Sequence, residues 1–161
     1  FPNTNINFEN KLNILTKFLD KTIFKIEKKF NIHIKDIYLI IDDENFINID
    51  VSLTKDYKYE PNIMNNISND LLIIKESVLK SNIDFQLTHM IINKYIIDKK
   101  HHFQLPEQVN MNSFFLEVSL ICLKTNILIN LKKILSFYQI SIKKVFDYNY
   151  VNSFLIQNDK Q

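Results

Sequence analysis

Glycine is absent from all 161 residues. Its absence removes the glycine-rich phosphate loops, both the P-loop and the dinucleotide-binding turn, because each needs a backbone without a Cβ against the phosphates. The glycine-flanked nucleophile elbow of hydrolases is excluded on the same ground. Cysteine is nearly absent too. Cys122 stands alone, so there is no intramolecular disulfide framework and no thiolate metal cluster, and a reducing, cytoplasmic setting fits. No apolar run approaches the ~20 residues that cross a bilayer. A dominant charge is also missing: Lys and Arg number 20 against 18 Asp and Glu, a net +2. That balance argues against a dedicated nucleic-acid binder, which carries a basic face. The opening Phe1-Pro2-Asn3 shows neither an initiator Met nor a signal-peptide pattern and reads as the start of a fragment.

What is present suffices for a core. Hydrophobic residues make up 46% of the chain and aromatics 12%, so disorder, which needs low hydrophobicity and high net charge, is not expected. The length favours one domain, or one with an appendage. The excess of Ile, Asn and Lys beside the missing glycine is the bias that AT-rich codons would produce.

Periodicity supplies the elements. Phe8, Leu12, Leu15, Leu19, Ile23, Ile26 and Phe30 recur at helical steps and predict a first helix, capped by Asn7 and ending in Lys25, Lys28 and Lys29. The run Ile37 to Ile41 predicts a buried strand. After the polar turn Asp42-Asp43-Glu44-Asn45, Ile47, Ile49, Val51 and Leu53 alternate with polar residues and predict a second strand, paired with the first as a hairpin. A polar loop over 54–61 ends at Pro61. Met64, Ile67, Leu71, Ile74 and Val78 predict a second helix, capped by Asn65 or Ser68. A strand is expected over Leu87 to Ile97, then a loop from Asp98 to Asn112 around Pro106. Phe114, Leu116, Val118 and Leu120 alternate with Phe115, Glu117 and Ser119 as a further strand. A third helix opens at Thr125 or Asn126 and carries Ile127, Leu131, Ile134 and Tyr138. Ile142 to Phe146 reads as a short strand and Tyr150 to Gln157 as a last helix. This order predicts an α+β fold, a small mixed or antiparallel sheet with helices packed on one side.

The stretch from Leu87 to Phe146 resembles the FtsA family of actin-like bacterial cell-division proteins. The resemblance rests on Leu87-Thr88-His89-Met90-Ile91, Tyr95-Ile96-Ile97-Asp98, Pro106, Leu116-Glu117-Val118-Ser119-Leu120-Ile121, the helix from Asn126 through Asn130, and Ile142-Lys143-Lys144-Val145-Phe146. The spacing is free of gaps. Upstream, the first helix and the segment from Ile32 to Ile41 are similar to the helix and strand that lead into the family's inserted subdomain. The departures are at glycines: the family has them around His102, Gln108 and Met111 and near Gln139. At Gln139, which follows a helix, a left-handed turn without glycine implies strain.

The resemblance implies residues 1–45 as an actin-like flank, 46–147 as an inserted strand–helix–strand–strand subdomain, and 148–161 as the second flank. In the family the ATP-binding loops and a membrane-binding amphipathic helix lie elsewhere. What remains here is a protein-binding scaffold, not an enzyme. It would recruit other cell-division proteins and support contacts with FtsA-like neighbours, homo-oligomers included, at the inner face of the membrane without inserting into it. The PilM family of pilus-assembly proteins, which shares a similar insert, is the alternative.

Chemical constellations are sparse. His101-His102 near Asp98 lacks a placed third ligand and reads as loop histidines, not a metal site. His89 reads as a core or hydrogen-bonded histidine and His33 as a surface one. Asp42-Asp43-Glu44 lacks the spaced ligands of a calcium loop. Asp20 and Glu27 are expected to pair with nearby lysines, and Cys122 to be a small buried hydrophobe. Lys94, Lys99, Lys100, Lys132, Lys133, Lys143 and Lys144, with Tyr95 and Phe103 interleaved, make a candidate basic patch for single strands, acidic peptides or anionic lipid. A solvated surface is the preferred reading. No catalytic, metal or cofactor residue is assigned, and an enzyme site around His89, Asp98, His101 and His102 is the competing class. The candidate partner-binding residues are Phe115, Glu117, Ser119 and Ile121, with Lys143 and Lys144. If the sheet is covered on one side only, Phe115 and Ile121 form an exposed apolar strip; the alternative is that the first long helix covers them. An open sheet edge offers a second mode, by strand addition.

Overall fold

The computed structural model describes residues 8–56, 63–102 and 113–158. Along them run α1 (Phe8–Phe30), β1 (Asp36–Ile41), β2 (Phe46–Asp56), α2 (Ile63–Ser81), β3 (Phe85–Ile97), β4 (Lys100–His102), β5 (Ser113–Lys124), α3 (Thr125–Ser136), β6 (Ser141–Asp147) and α4 (Tyr148–Asn158). The chain is α+β, with two sheets among the described residues. The Asn7 cap, the loop at Pro61 and the Pro106 loop with Phe103, Gln108 and Met111 lie outside the described residues.

The residues divide into two compact units. One holds Asp43–Lys124, and the other holds what precedes Asp42 and follows Thr125 in the described chain. The boundaries fall between Asp42 and Asp43 and between Lys124 and Thr125, so α3 and β6 share a unit with β1. The reason is pairing. β6 runs parallel to β1, from Asp36 opposite Ser141 to Ile41 opposite Asp147. Parallel neighbours need a crossover, and here the crossover contains the whole insert followed by α3. The expected β1–β2 hairpin is therefore absent. β2 pairs instead with β5, antiparallel from Phe46–Leu123 to Asp56–Ser113.

The flank unit packs two helix–strand pairs. Leu19 of α1, Leu135 of α3 and Ile140 form its core, with Leu15, Ile23, Ile37, Leu39 and Ile142 against it. Both helices end in the same device. Asn31 (φ 51°) and Gln139 (φ 58°) are left-handed, and the next residues reach back: Ile32 N donates to Glu27 O at 3.1 Å and Ile140 N to Leu135 O at 3.1 Å. These are Schellman caps, and the second adds the usual apolar contact, Ile140 on Leu135.

The insert is a four-stranded sheet in the order β2-β5-β3-β4. One face is its core. Phe114, Leu116, Val118, Leu120 and Cys122 from β5 are buried against Ile67 and Ile74 of α2, flanked by Ile47, Ile49, Val51 and Leu53 of β2. Lys55 of β2 pairs with the buried Asp70 of α2 and fixes the helix across the strand. β3 breaks strict alternation twice. Register shifts at Thr88 and Asn93 rephase it so that Leu87, Met90, Ile92 and Tyr95 all reach the core. β4, which sequence patterning left inside a loop, follows the tight turn Asp98-Lys99, both left-handed at φ 46° and 68°. Consecutive left-handed residues mark a two-residue hairpin of the primed type.

Candidate interaction surfaces

The face of the insert sheet turned away from α2 carries the first four candidate residues. Strand alternation puts Phe115, Glu117, Ser119 and Ile121 there because their neighbours fill the core. They are not equally available. Phe115 and Glu117 are half-buried and Ser119 is buried. Ile121 is 6% exposed. The expected exposed apolar strip is thus not presented by Ile121.

Instead, a polar line crosses this face. Asn93 Nδ2 donates to Ser119 Oγ at 2.6 Å, and Ser119 Oγ donates to Asp50 Oδ1. This joins β3, β5 and β2 at one level, since Asp50 lies opposite Ser119. Thr88 Oγ1 donates to Ile121 O at 2.8 Å. Both bulged residues of β3 therefore clip to β5 through their side chains, which compensates for disturbed ladder bonds. Asp50 and Asn93 were missed in the sequence. Asp50 was readable as an outward residue of an alternating strand, whereas Asn93 depends on a bulge that leaves no pattern.

The edge of this sheet is equally informative. β2 is the terminal strand, eleven residues long. Among the described residues its only strand partner is β5. An unpaired edge of that length presents a row of backbone donors and acceptors. Its outward side chains Asn48, Asp50, Ser52, Thr54 and Asp56 are exposed and polar.

Lys143 and Lys144 sit in the flank unit, on β6. Lys143 is the extra residue where the β1–β6 register shifts, and its Nζ lies 3.4 Å from Asp36 Oδ2. Lys144 Nζ stands 5.4 Å from the Phe146 ring centre, a cation–π distance. Beside it, Tyr38 and Phe146 have ring centres 6.2 Å apart.

The remaining candidates have structural roles. Asp98 Oδ1 accepts from Ser113 N at 2.8 Å and so ties the β3–β4 turn to β5. His101 is exposed and His102 half-buried, on β4 opposite Ile96 and Tyr95. Among the described residues no three His, Cys, Asp or Glu converge as metal ligands. Asp43 Oδ1 accepts from Asn45 N at 3.0 Å, an Asx turn. His89 is buried opposite Ile121. Cys122 is wholly buried, and burial pushes its thiol pKa up, the opposite of an activated nucleophile.

Among the described residues Asp20 and Glu27 do not pair with lysines. Tyr138 Oη donates to Asp20 Oδ1 at 2.6 Å. Glu27 Oε1 accepts from Ile34 N at 2.9 Å and His33 Nδ1 at 2.7 Å. The backbone N–H of Ile34, chiefly, holds the Glu27 carboxyl below its ordinary value, while the Asp20 bond raises the Tyr138 phenol. No described helix is long and apolar enough to cross a membrane. Neither a protein-family model nor a curated protein sequence matches the chain.

Proposed function

We propose that the chain is a protein-binding scaffold of bacterial cell division, the inserted subdomain and flanks of an FtsA-like actin-family protein, acting at the inner face of the membrane. The ordered resemblance from Leu87 to Phe146 supplies the identity part of this reading. The two-unit organisation is compatible with it, since one compact unit is threaded into another at Asp42–Asp43 and Lys124–Thr125. The flank also has the features of part of a wider sheet. Parallel strands are ordinarily covered on both faces, yet the β1–β6 pair leaves Tyr38 65% and Ile40 56% exposed.

The observation that carries the binding function is the open edge of β2. A partner segment adds there as a fifth strand, its backbone bonding to β2 and its side chains meeting the polar row from Asn48 to Asp56. Main-chain bonds supply affinity in this mode and alternate side chains supply specificity. Glu117 and Phe115, one strand further in, define the neighbouring side-chain positions.

The test is a calorimetric titration of the chain with peptides from the cytoplasmic segments of late division proteins, with Mg-ATP as the control. Saturable peptide binding with no response to ATP is the expected result. ATP binding, or no peptide binding at millimolar concentration, contradicts the reading.

A further inference from the structure

The flank unit contains a cleft of about 310 Å³ between α1 and the turn joining α3 to β6. Its apolar lining includes Ile23, Phe24 and Phe137. Phe24 and Phe137 are 70% and 76% exposed, which is unusual for aromatic rings that carry no polar handle. Asp20, Glu27 and the His33 that bonds Glu27 also line the cleft, and among the described residues no lysine does.

That charge pattern is not what composition predicts. α1 is rich in lysine, but the helix sorts its charges. Asp20 and Glu27 are seven residues apart, two turns, and share one side. Lys17, Lys21, Lys25 and Lys28 recur at steps of four and three and form another stripe. The side of α1 that opens on the cleft is therefore acidic on a helix that is basic elsewhere. Each carboxylate is held in place through one oxygen only. Tyr138 fixes Asp20 through Oδ1, and His33 with Ile34 fixes Glu27 through Oε1. A carboxylate has acceptor sites on both oxygens, so Oδ2 and Oε2 remain for an incoming donor.

We propose that this cleft receives a cationic side chain of a partner polypeptide, an arginine with apolar neighbours. The guanidinium bonds Asp20 and lies against Phe24 and Phe137, the aliphatic stem covers Ile23, and Glu27, two helical turns away, adds to the attraction at longer range. Planar guanidinium suits this lining better than ammonium, because it bonds carboxylates in a fork and stacks on aromatic rings. The site lies in the flank unit and uses different chemistry from the β2 edge, so either proposal can fail alone.

The test uses the whole chain and the blocked tripeptide Leu-Arg-Leu, followed by amide NMR shifts, with a citrulline analogue that keeps the shape and loses the charge. The arginine peptide is expected to shift Asp20, Phe24, Glu27 and Phe137 saturably. The citrulline peptide is expected to bind about tenfold more weakly, ~1.4 kcal/mol. Asp20→Asn, which keeps an acceptor for Tyr138, and Phe137→Ala, at an exposed position, should each weaken binding several-fold. Lys21→Gln should not. Equal binding of both peptides, or shifts confined to other regions, or none up to ~10 mM of peptide, about tenfold above a millimolar Kd, would overturn the inference. Agmatine, a free guanidinium amine, binding as tightly as the tripeptide would overturn the polypeptide occupant.

Discussion

Without glycine, Asn31, Asp98, Lys99 and Gln139 must hold left-handed backbone themselves. For a residue with a Cβ that conformation costs ~1–2 kcal/mol, less for Asn and Asp, whose short side chains tolerate it. Lys99 and Gln139 are the two positions without that help. Gln139→Gly and Lys99→Gly should each stabilise the fold by ~0.5–1 kcal/mol after glycine's greater unfolded-state entropy is subtracted. Asn31→Gly should change little, and urea midpoints distinguish the three. A second residue-scale prediction concerns Asp70, 4% exposed and bonded to Lys55. Asp70→Ala should destabilise by ~2 kcal/mol, the range for a hydrogen bond to a charged group. Lys143→Ala, which removes an exposed pair, should cost ~0–0.5 kcal/mol. For Glu27 the sign follows from its lowered pKa. Its contribution is complete above the unfolded-state value and is lost as pH falls through the lower folded value. A carboxyl-carbon titration should therefore place the Glu27 midpoint below that of a short unfolded peptide. A midpoint at or above that of the peptide would contradict the Ile34 and His33 bonds.

At the scale of elements, the helices and most strands were legible because each shows one undisturbed period. α1 was visible from the stripe Leu12, Leu15, Leu19, Ile23 and Ile26. β5 was visible from the alternation that buries Phe114, Leu116, Val118 and Leu120. Leu116→Ala should cost ~3 kcal/mol, because a wholly buried leucine leaves a cavity under α2. What stayed hidden was pairing. Nothing local to Ile37–Ile41 says that its neighbour is Ser141–Asp147 rather than the next strand, because a parallel partner is set by the long crossover. The bulges at Thr88 and Asn93 erase the alternation of β3, and β4 is too short to show a period. The candidate surface was half legible. Alternation gave the face of Phe115 and Glu117, but the burial of Ser119 and Ile121 and the bond of Tyr138 to Asp20 depend on contacts distant in sequence.

At the scale of the molecule, the insert begins and ends at one place. Phe46 lies opposite Leu123, and Lys124 N donates to Asn45 O at 3.4 Å. A segment whose ends already meet, with its own core on one sheet face, needs no help from its flanks to close. Residues 43–124 expressed alone should therefore unfold in a single cooperative urea transition. A chain that loses secondary structure on excision would contradict the two-unit description. Function is proposed at this scale too, since the β2 edge belongs to the insert as a whole and not to any catalytic group.

Strand addition at β2 would protect the backbone amides of that edge. Hydrogen exchange followed by NMR, with and without a peptide from a late division protein, reads that protection residue by residue. In the free chain the β2 amides that point away from β5 should exchange quickly. At saturation they should be protected, with β5 amides unchanged. Peptide binding that leaves those β2 amides exchanging as in the free chain would place recognition elsewhere and contradict the account.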